Sequence, residues 1–164
     1  MELQIRTLEK TYNKTVFNCG YTLLDDYIKK QAKQDVNRDL SACFVLVDNE
    51  NVVKGYYTLS ANSIKREEFP EALTKKLPPS YHDLPTILLG RLAIDHTLQG
   101  RGYGEILLMD ALTRSVKISE SLGAIAVIVD PIDEKAQAFY AKYGFILLPT
   151  SGKMVIPIQT IKEL

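Results

Sequence analysis

The chain has 164 residues, 46% of them hydrophobic and 24% charged, and its 20 Lys and Arg balance its 20 Asp and Glu. This length and composition predict a single globular domain over residues 1–164, which buries about two thirds of its unfolded surface. Zero net charge excludes a uniformly basic protein, so the whole-chain charge gives no attraction to nucleic acid or an anionic membrane. A balanced sum still allows a local basic face.

The cysteines and histidines form no metal-binding pattern. Cys19, Cys43, His82 and His96 stand apart in the sequence, and neither a C-x-x-C pair nor an H-E-x-x-H helix occurs. We therefore expect no metal site and two reduced, packed thiols.

No targeting or membrane-spanning segment is predicted. Residues 1–6 lack the apolar core of a signal peptide. No stretch approaches the roughly 20 apolar residues of a membrane span. We expect a cytoplasmic protein with no membrane partner.

The first half of the chain predicts paired strands around one long helix. Its apolar residues alternate or cluster in short runs where strands are expected, and they recur with helical spacing after Thr22, a plausible N-cap. The predicted elements are a strand over 3–8, a helix over 22–39, strands over 42–47 and 52–60 that form a hairpin, and a short helix over 67–76.

The second half alternates strands with helices, which favours parallel pairing. The predicted elements are strands over 86–94 and 124–129, helices over 103–122 and 133–143, and closing strands over 145–148 and 154–158. The inward stripe predicted for the longest helix is Leu108, Ala111, Leu112, Ser115, Ser119 and Leu122. Together the two halves predict an α/β (α+β) fold, a mixed central sheet covered by helices.

A glycine-rich turn between a buried strand and the longest helix is the main candidate for a binding site. Gly100, Gly102 and Gly104 remove side chains from this turn, so its backbone N–H groups can face an anion. The unpaired N–H groups and positive dipole end of the following helix add to the same attraction. The turn therefore predicts a site for a di- or triphosphate-bearing cofactor.

Two glycine-loop chemistries fit this turn poorly. A nucleoside-triphosphate P-loop requires Lys followed by Ser or Thr after the last glycine, where this chain has Glu105. A dinucleotide fingerprint requires G-x-G-x-x-G, and Glu105 stands where its third glycine belongs. Asp130, after the next strand, could imitate the ribose-binding acid, so this alternative stays open.

A third pattern, Q/R-x-x-G-x-G/A, matches Gln99-Gly100-Arg101-Gly102-Tyr103-Gly104. With this match, the chain resembles the GNAT superfamily of acyl-CoA-dependent N-acetyltransferases over essentially its whole length. The phrase FYAKYGF, from Phe139 to Phe145, resembles the helix that lines the other side of the coenzyme in that family.

The resemblance implies a mixed central β-sheet with helices on both faces, splayed parallel strands at the coenzyme site, and acetyl-CoA as co-substrate. It implies that the coenzyme is bound by Leu92, Ala93, Ile94, Gln99, Gly100, Arg101, Gly102, Tyr103, Gly104, Ala136, Phe139 and Tyr143.

The resemblance also makes Tyr140 the candidate general acid. A phenol with a pKa near 10 can protonate a departing thiolate of similar basicity, and a backbone N–H near residues 92–94 can stabilise the oxyanion. The alternative is that Tyr140 only packs. No general base stands out, because Asp95, His96 and Glu105 are as well explained as solvated residues. This absence favours an α-amine acceptor, whose pKa near 7.7–8.0 leaves much of it neutral.

Arg91 is the candidate substrate-binding residue. It is a permanent charge inside an apolar strand, so it must reach water, a carboxylate or an anionic ligand. Pairing at the strand edge and contact with an anionic acceptor both remain open. Basic residues of the first helix could extend a basic rim, although a solvated helix face explains them equally well: Lys29, Lys30, Lys33 and Arg38.

Several short sequence motifs resemble those of one branch of the superfamily, the toxins of toxin–antitoxin pairs that acetylate aminoacyl-tRNA. These motifs are Phe17-Asn18-Cys19-Gly20, Leu24-Asp25-Asp26-Tyr27-Ile28, residues 55–60, Leu89-Gly90-Arg91-Leu92-Ala93 and Asp110-Ala111-Leu112. The resemblance implies aminoacyl-tRNA as acceptor and a ribbon-helix-helix antitoxin as partner. The neutral charge departs from the basic character that RNA favours.

Two alternatives remain beside the toxin. One is a housekeeping acetyltransferase of a small amine or a protein N-terminus, and the other is a non-catalytic acyl-CoA-binding module. A homodimer is expected for a small enzyme of this kind.

Overall fold

The computed structural model describes residues 2–164, in which seven strands form one mixed sheet in the order β1-β2-β3-β4-β5-β7-β6. The strands are β1 (Gln4–Thr7), β2 (Ala42–Val47), β3 (Val53–Lys65), β4 (Asp83–Ile94), β5 (Ala126–Val129), β6 (Ile146–Leu147) and β7 (Met154–Pro157). The mixed sheet and its helices confirm the predicted fold class.

The strand directions follow from the connections. β1, β2 and β3 pair antiparallel, as a hairpin and its neighbour do. β4 and β5 are joined through the longest helix and pair in parallel, as the alternation of strand and helix predicted. β7 then pairs antiparallel with both β5 and β6.

The helices are less regular than their hydrophobic spacing indicated. They are α1 (Thr22–Asp26), α2 (Ala32–Asn37), α3 (Glu71–Thr74), α4 (Tyr103–Ser121), α5 (Glu134–Lys142) and α6 (Ile158–Lys162). A π-helical turn, Tyr27–Gln31, joins α1 to α2, and 3-10 turns occupy Arg66–Glu68 and His96–Leu98.

The sequence predicted Thr22 as the N-cap of the first helix, and this prediction is wrong. Tyr21 holds that position with extended backbone angles, φ −118° and ψ 109°, so the helix starts one residue earlier than the cap chemistry suggested. In the first turn of this helix, the carboxylate of Asp25 accepts a hydrogen bond from the backbone amide of Cys19, at 2.8 Å.

Three further predictions needed correction. The second hairpin strand runs on to Lys65 rather than ending at residue 60, and α6 lies where no helix was predicted. Leu122 does not face inward, because its side chain is 75% exposed beyond the end of α4. Helix spacing therefore located the buried face of α4 but not the point where that face ends.

The predicted helix over 67–76 is only the four residues of α3, and Arg66 organises the segment around it. One nitrogen of its guanidinium donates to the carbonyls of Thr74 and Leu77, and the other donates to those of Pro78 and Tyr81, all at 2.7–3.0 Å. These carbonyls follow or end the helix, so the guanidinium satisfies groups that a longer helix would have bonded internally.

Two compact units divide the chain, residues 2–60 with 89–111 and residues 61–88 with 112–164. In the first, Tyr56 packs edge-on to Phe17 with 5.6 Å between ring centroids, and its hydroxyl donates to the carbonyl of Leu24. The second has a core of its own around Ile128 and Val155. A single domain over 1–164 stays a prediction.

Gly55 on β3 is a point of close backbone approach within the first unit. A Cβ there would lie 3.1 Å from the carbonyl oxygen of Ala93, 2.9 Å from Cδ1 of Ile94 and 3.1 Å from Cδ1 of Leu107. Two of these atoms end flexible side chains, but the carbonyl belongs to β4. A larger residue at position 55 would therefore push on the strand.

We expect Gly55→Ala to lower the free energy of unfolding by about 1–2 kcal/mol, because the added methyl overpacks against the β4 backbone. Urea denaturation measures the change. Lys54→Ala, on the same strand, is the control, with an expected change within about 0.5 kcal/mol. Equal stability of Gly55→Ala and the unsubstituted protein would contradict the close approach.

Candidate active site

The end of β4 supplies the first part of the candidate site. Its pairing with β5 covers only Thr86–Leu88, so the strand runs on from Leu89 to Ile94 past the last residue that is paired with β5. Leu92 is half-buried there, and Ala93 and Ile94 are buried. The main chain of these three residues forms the strand end on which the predicted coenzyme contacts depend.

The glycine turn follows directly, and two of its glycines are required by backbone conformation. Gly100 and Gly102 have φ of 78° and 85°, and a Cβ at either position would meet nothing within 4 Å. Positive φ, rather than lack of room, therefore selects glycine at both. Arg101 between them is exposed.

Helix α4 opens on this turn. Its first backbone bond runs from the Ile106 amide to the Gly102 carbonyl, at 3.2 Å. The amides that lead the helix, including those of Tyr103 and Gly104, precede any carbonyl to which a helix could bond them. With the helix dipole, they form an electropositive end suited to a phosphate.

Gln99 fixes the turn from within. Its side-chain amide nitrogen donates to the carbonyls of Ile94, at 2.9 Å, and Cys19, at 2.8 Å. Both donors of the amide are therefore used inside the protein, and the backbone N–H of Gln99 donates to the His96 carbonyl at 3.4 Å. The sequence identified Gln99 but not this tie.

Asp95 is the structural centre of the turn, not a solvated loop residue. Its carboxylate is 4% exposed and accepts from the Asn18 amide at 2.9 Å, the Thr97 hydroxyl at 2.6 Å and the Thr97 amide at 3.2 Å. Burial alone would raise the pKa of Asp95, but the bonds from Thr97 and Asn18 outweigh it and hold the pKa below its usual value. A charged anchor of this kind is poorly suited to be a general base.

The backbone carbonyl of Asn18 provides a second link to the same turn, through His96. The backbone amide of His96 donates to the Asn18 carbonyl at 2.7 Å, and Nδ1 of His96 lies 3.0 Å from the same oxygen. The role of Asn18 was missed by sequence reasoning. The phrase Phe17–Gly20, noted only for its resemblance, was the available signal.

Tyr140 lies in the second unit, on α5, with its ring buried between aromatic neighbours. The residue is 8% exposed, and its ring centroid is 5.3 Å from that of Phe139 and 5.2 Å from that of Phe145. Burial raises the pKa of the Tyr140 phenol, so the hydroxyl keeps its proton at neutral pH.

Two other predicted residues lie at the ends of α5, Ala136 in its first turn and Tyr143 at its C-cap. Ala136 is half-buried, and its amide donates to the capping carboxylate of Asp133 at 2.8 Å, so only its methyl group is free for a ligand. Tyr143 stacks edge-on to Phe139, with 5.2 Å between centroids. The aromatic phrase thus builds a cluster around Tyr140.

Arg91, in the first unit, meets an aromatic ring instead of a carboxylate. Its guanidinium carbon lies 3.5 Å from the ring centroid of Tyr27, a cation–π contact. Within residues 2–164 Arg91 makes no ion pair with Asp or Glu. Of the proposed basic rim, Lys30 pairs with Asp26 at 3.6 Å across one exposed helical turn.

The cysteines are buried free thiols, as predicted. Burial raises the pKa of Cys19 to about 11 and that of Cys43 to about 12, so both stay protonated and unreactive at neutral pH. Across residues 2–164, the structure places no three His, Cys, Asp or Glu side chains together as a metal site. None of the helices in that range is both long and apolar enough to span a membrane.

Comparisons with known proteins point in one direction. Residues 39–147 match the family model described as "Acetyltransferase (GNAT) domain". A "tRNA-acetylating toxin" from Mycobacterium tuberculosis (strain ATCC 25618 / H37Rv) is 36% identical over 145 residues, which cover 88% of this chain and 85% of that protein.

Solved structures of similar proteins superpose on this chain over almost its full length. A tyrosine-to-phenylalanine mutant of KacT superposes with a TM-score of 0.93 at 32% identity, covering 99% of both chains. AtaT complexed with acetyl-methionyl-tRNAfMet gives a TM-score of 0.92 at 30% identity, covering 99% of this chain and 98% of that one. A tyrosine-to-phenylalanine mutant of AtaT, bound to the C-terminus of the antitoxin AtaR and to acetyl-CoA, gives 0.84 at 28% identity, covering 98% and 96%.

We expect Asp95→Asn to lower the free energy of unfolding at pH 7 by about 2 kcal/mol, because the amide loses charge-assisted bonds from Thr97 and Asn18. A depressed pKa contributes stability above the unfolded-state pKa and loses it as pH falls through the folded-state value. The deficit should therefore shrink below pH 3.8, the ordinary carboxyl pKa.

Urea denaturation at pH 7 and at successively lower pH measures this deficit. Glu50→Gln, the same chemical change at an exposed turn residue, is the matched control, with little change expected at any pH. A deficit for Asp95→Asn that persisted unchanged into strong acid would contradict the buried-anchor assignment.

Proposed function

Because this chain belongs to the GNAT acetyltransferase family, we propose that it moves the acetyl group of acetyl-CoA to the α-amine of an aminoacyl-tRNA, as the toxin of a toxin–antitoxin pair. The observation that carries the acceptor is full-length similarity to AtaT, which is known in complex with acetyl-methionyl-tRNAfMet. The named toxins among its relatives support the same choice.

The coenzyme is held by the glycine turn. The amides of Gly100 to Gly104 and the N-terminus of α4 bind the pyrophosphate, and Arg101 adds an exposed positive charge beside them. The main chain of Leu92, Ala93 and Ile94 binds the pantetheine arm. The acetyl-CoA complex of AtaT supports this co-substrate.

The reaction is a direct transfer. The neutral amine attacks the thioester carbonyl, and a backbone N–H at residues 92–94 stabilises the oxyanion. The carbon–sulfur bond then breaks, and the hydroxyl of Tyr140 protonates the departing thiolate. The acylated amine loses its extra proton to solvent, and the phenolate of Tyr140 takes a proton back from solvent.

In this proposal Tyr140 is the acid, with its ring held by Phe139 and Phe145 and its hydroxyl protonated. Burial raises the pKa of this phenol, so it is a weaker acid than a free tyrosine and depends on being held in place to act. The tyrosine-to-phenylalanine mutants of KacT and AtaT are consistent with a reacting tyrosine. Ala136, Phe139 and Tyr143 line the coenzyme on the α5 side in this proposal.

The α-amine needs no strong base. Its pKa near 7.7–8.0 leaves much of it neutral at physiological pH, whereas a lysine near 10.4 would need help. The structure strengthens this preference, since the Asp95 carboxylate is committed to Asn18 and Thr97.

Partner and location complete the proposal. AtaT binds the C-terminus of AtaR, and we propose an antitoxin of the ribbon-helix-helix type for this chain. We further propose a cytoplasmic homodimer, since the substrate is cytoplasmic and small enzymes commonly pair about a two-fold axis.

We expect Tyr140→Phe to reduce kcat about 10²–10⁴-fold, the range of a lost general acid. Its dissociation constant for acetyl-CoA, measured by calorimetry, should stay within about threefold, because the ring and its contacts remain. Tyr81→Phe, at an exposed tyrosine, is the matched control and should leave kcat unchanged. Full turnover of Tyr140→Phe would remove the acid role.

We expect radiolabel from acetyl-CoA to appear on aminoacyl-tRNA and not on deacylated tRNA. Transfer RNA carrying the matching α-hydroxy acid is the sharpest control, because it keeps the RNA and the ester but has no amine. Label confined to small amines or to protein N-termini would favour the housekeeping alternative. No transfer despite coenzyme binding would favour a non-catalytic module.

A further inference from the structure

Tyr27 stands at the start of the π-helical turn Tyr27–Gln31 that separates α1 from α2. Such turns are rare and occur frequently at functional sites. This one places Tyr27 inside the protein, 7% exposed, with its ring against Tyr56 and under the guanidinium of Arg91.

The far end of the Tyr27 ring is held by Asp35. The Tyr27 hydroxyl donates to one carboxylate oxygen of Asp35 at 2.7 Å, and the side-chain amide of Gln31 donates to the other at 3.0 Å. Both oxygens of the carboxylate thus have neutral donors within the same helical segment. The ring therefore has a fixed direction.

The contact leaves the donors of Arg91 available. A guanidinium that stacks on a ring face uses its face, whereas its N–H groups lie in its plane and point outward. Arg91 is half-buried and makes no carboxylate ion pair within residues 2–164. The charge of Arg91 attracts the Asp35 carboxylate, which helps to lower the pKa of Asp35, but no ion pair within the described part of the chain occupies the N–H edge of the guanidinium. A planar, oriented N–H edge of this kind matches the oxygens of a phosphate group.

We infer that Tyr27 is a positioning residue: its ring, held by the hydrogen bond from its hydroxyl to Asp35, directs the N–H edge of Arg91 at a phosphate of the acceptor RNA. This inference rests on the proposed function, since it names the element that recognises the RNA. Tyr27 itself touches neither the coenzyme nor the reacting amine in this arrangement.

The test measures binding of deacylated tRNA by fluorescence anisotropy over a range of salt concentrations. We expect Tyr27→Leu to weaken tRNA binding about five- to tenfold, because it removes one cation–π contact at a partly desolvated site. The slope of log affinity against log salt should fall by about one, as one phosphate contact is lost. Arg91→Ala should behave alike, and the double variant should be no weaker than Arg91→Ala.

A second pair of variants covers the case in which Tyr27→Leu does not fold. Asp35→Ala frees the ring but leaves it in place, and should weaken tRNA binding about two- to fourfold. Asp26→Ala removes the same charge from the same helical segment without touching Tyr27, and should not weaken binding. Affinity for acetyl-CoA should be unchanged in all of these variants.

Contrary results separate the two proposals. Unchanged tRNA affinity and salt slope in Tyr27→Leu, or additive losses in the double variant, would overturn the positioning role while acetylation of charged tRNA still stood. Normal tRNA binding through Arg91 without acetylation of charged tRNA would overturn the proposed reaction alone. No tRNA binding by the unsubstituted protein would overturn both.

Discussion

Asp95 accepts three hydrogen bonds while only 4% exposed, and the turn that follows β4 depends on them. A buried carboxylate costs free energy unless its oxygens are satisfied, so this turn has one favourable arrangement. That arrangement joins Asn18 to the strand end, and Gln99 then ties the glycine turn to the same place. The geometry of the proposed pyrophosphate site follows from the constraint.

The direction of α4 is a consequence of the same turn. Two residues of positive φ, Gly100 and Gly102, turn the chain before the helix starts at Tyr103. Since the leading amides of a helix point along its axis, fixing the turn also fixes where those amides point. Preorganised donors of this kind bind an anion without paying to order themselves.

Much of the fold and of the glycine turn could be predicted from the sequence, because these features depend on local sequence patterns. The strand ending at Ile94, the glycine turn and the start of α4 at Tyr103 were predicted from apolar runs and glycine spacing, and the sheet was predicted from the order of elements. The tie from Gln99 to Cys19 was not, since it joins residues 80 positions apart. The π-helical turn and the Arg91–Tyr27 contact were also beyond the sequence, because neither has a periodic signature.

Arg66 has a wider consequence for how this molecule can change. Its guanidinium satisfies four main-chain carbonyls of the segment between β3 and β4, and Phe69 of the same segment is buried in the core, so a few side chains hold the path of its backbone. Surface positions there, such as Lys75 and Tyr81, are consequently free to vary at small energetic cost. The exposed residues between β3 and β4 can therefore be substituted during evolution without disturbing the neighbouring sheet.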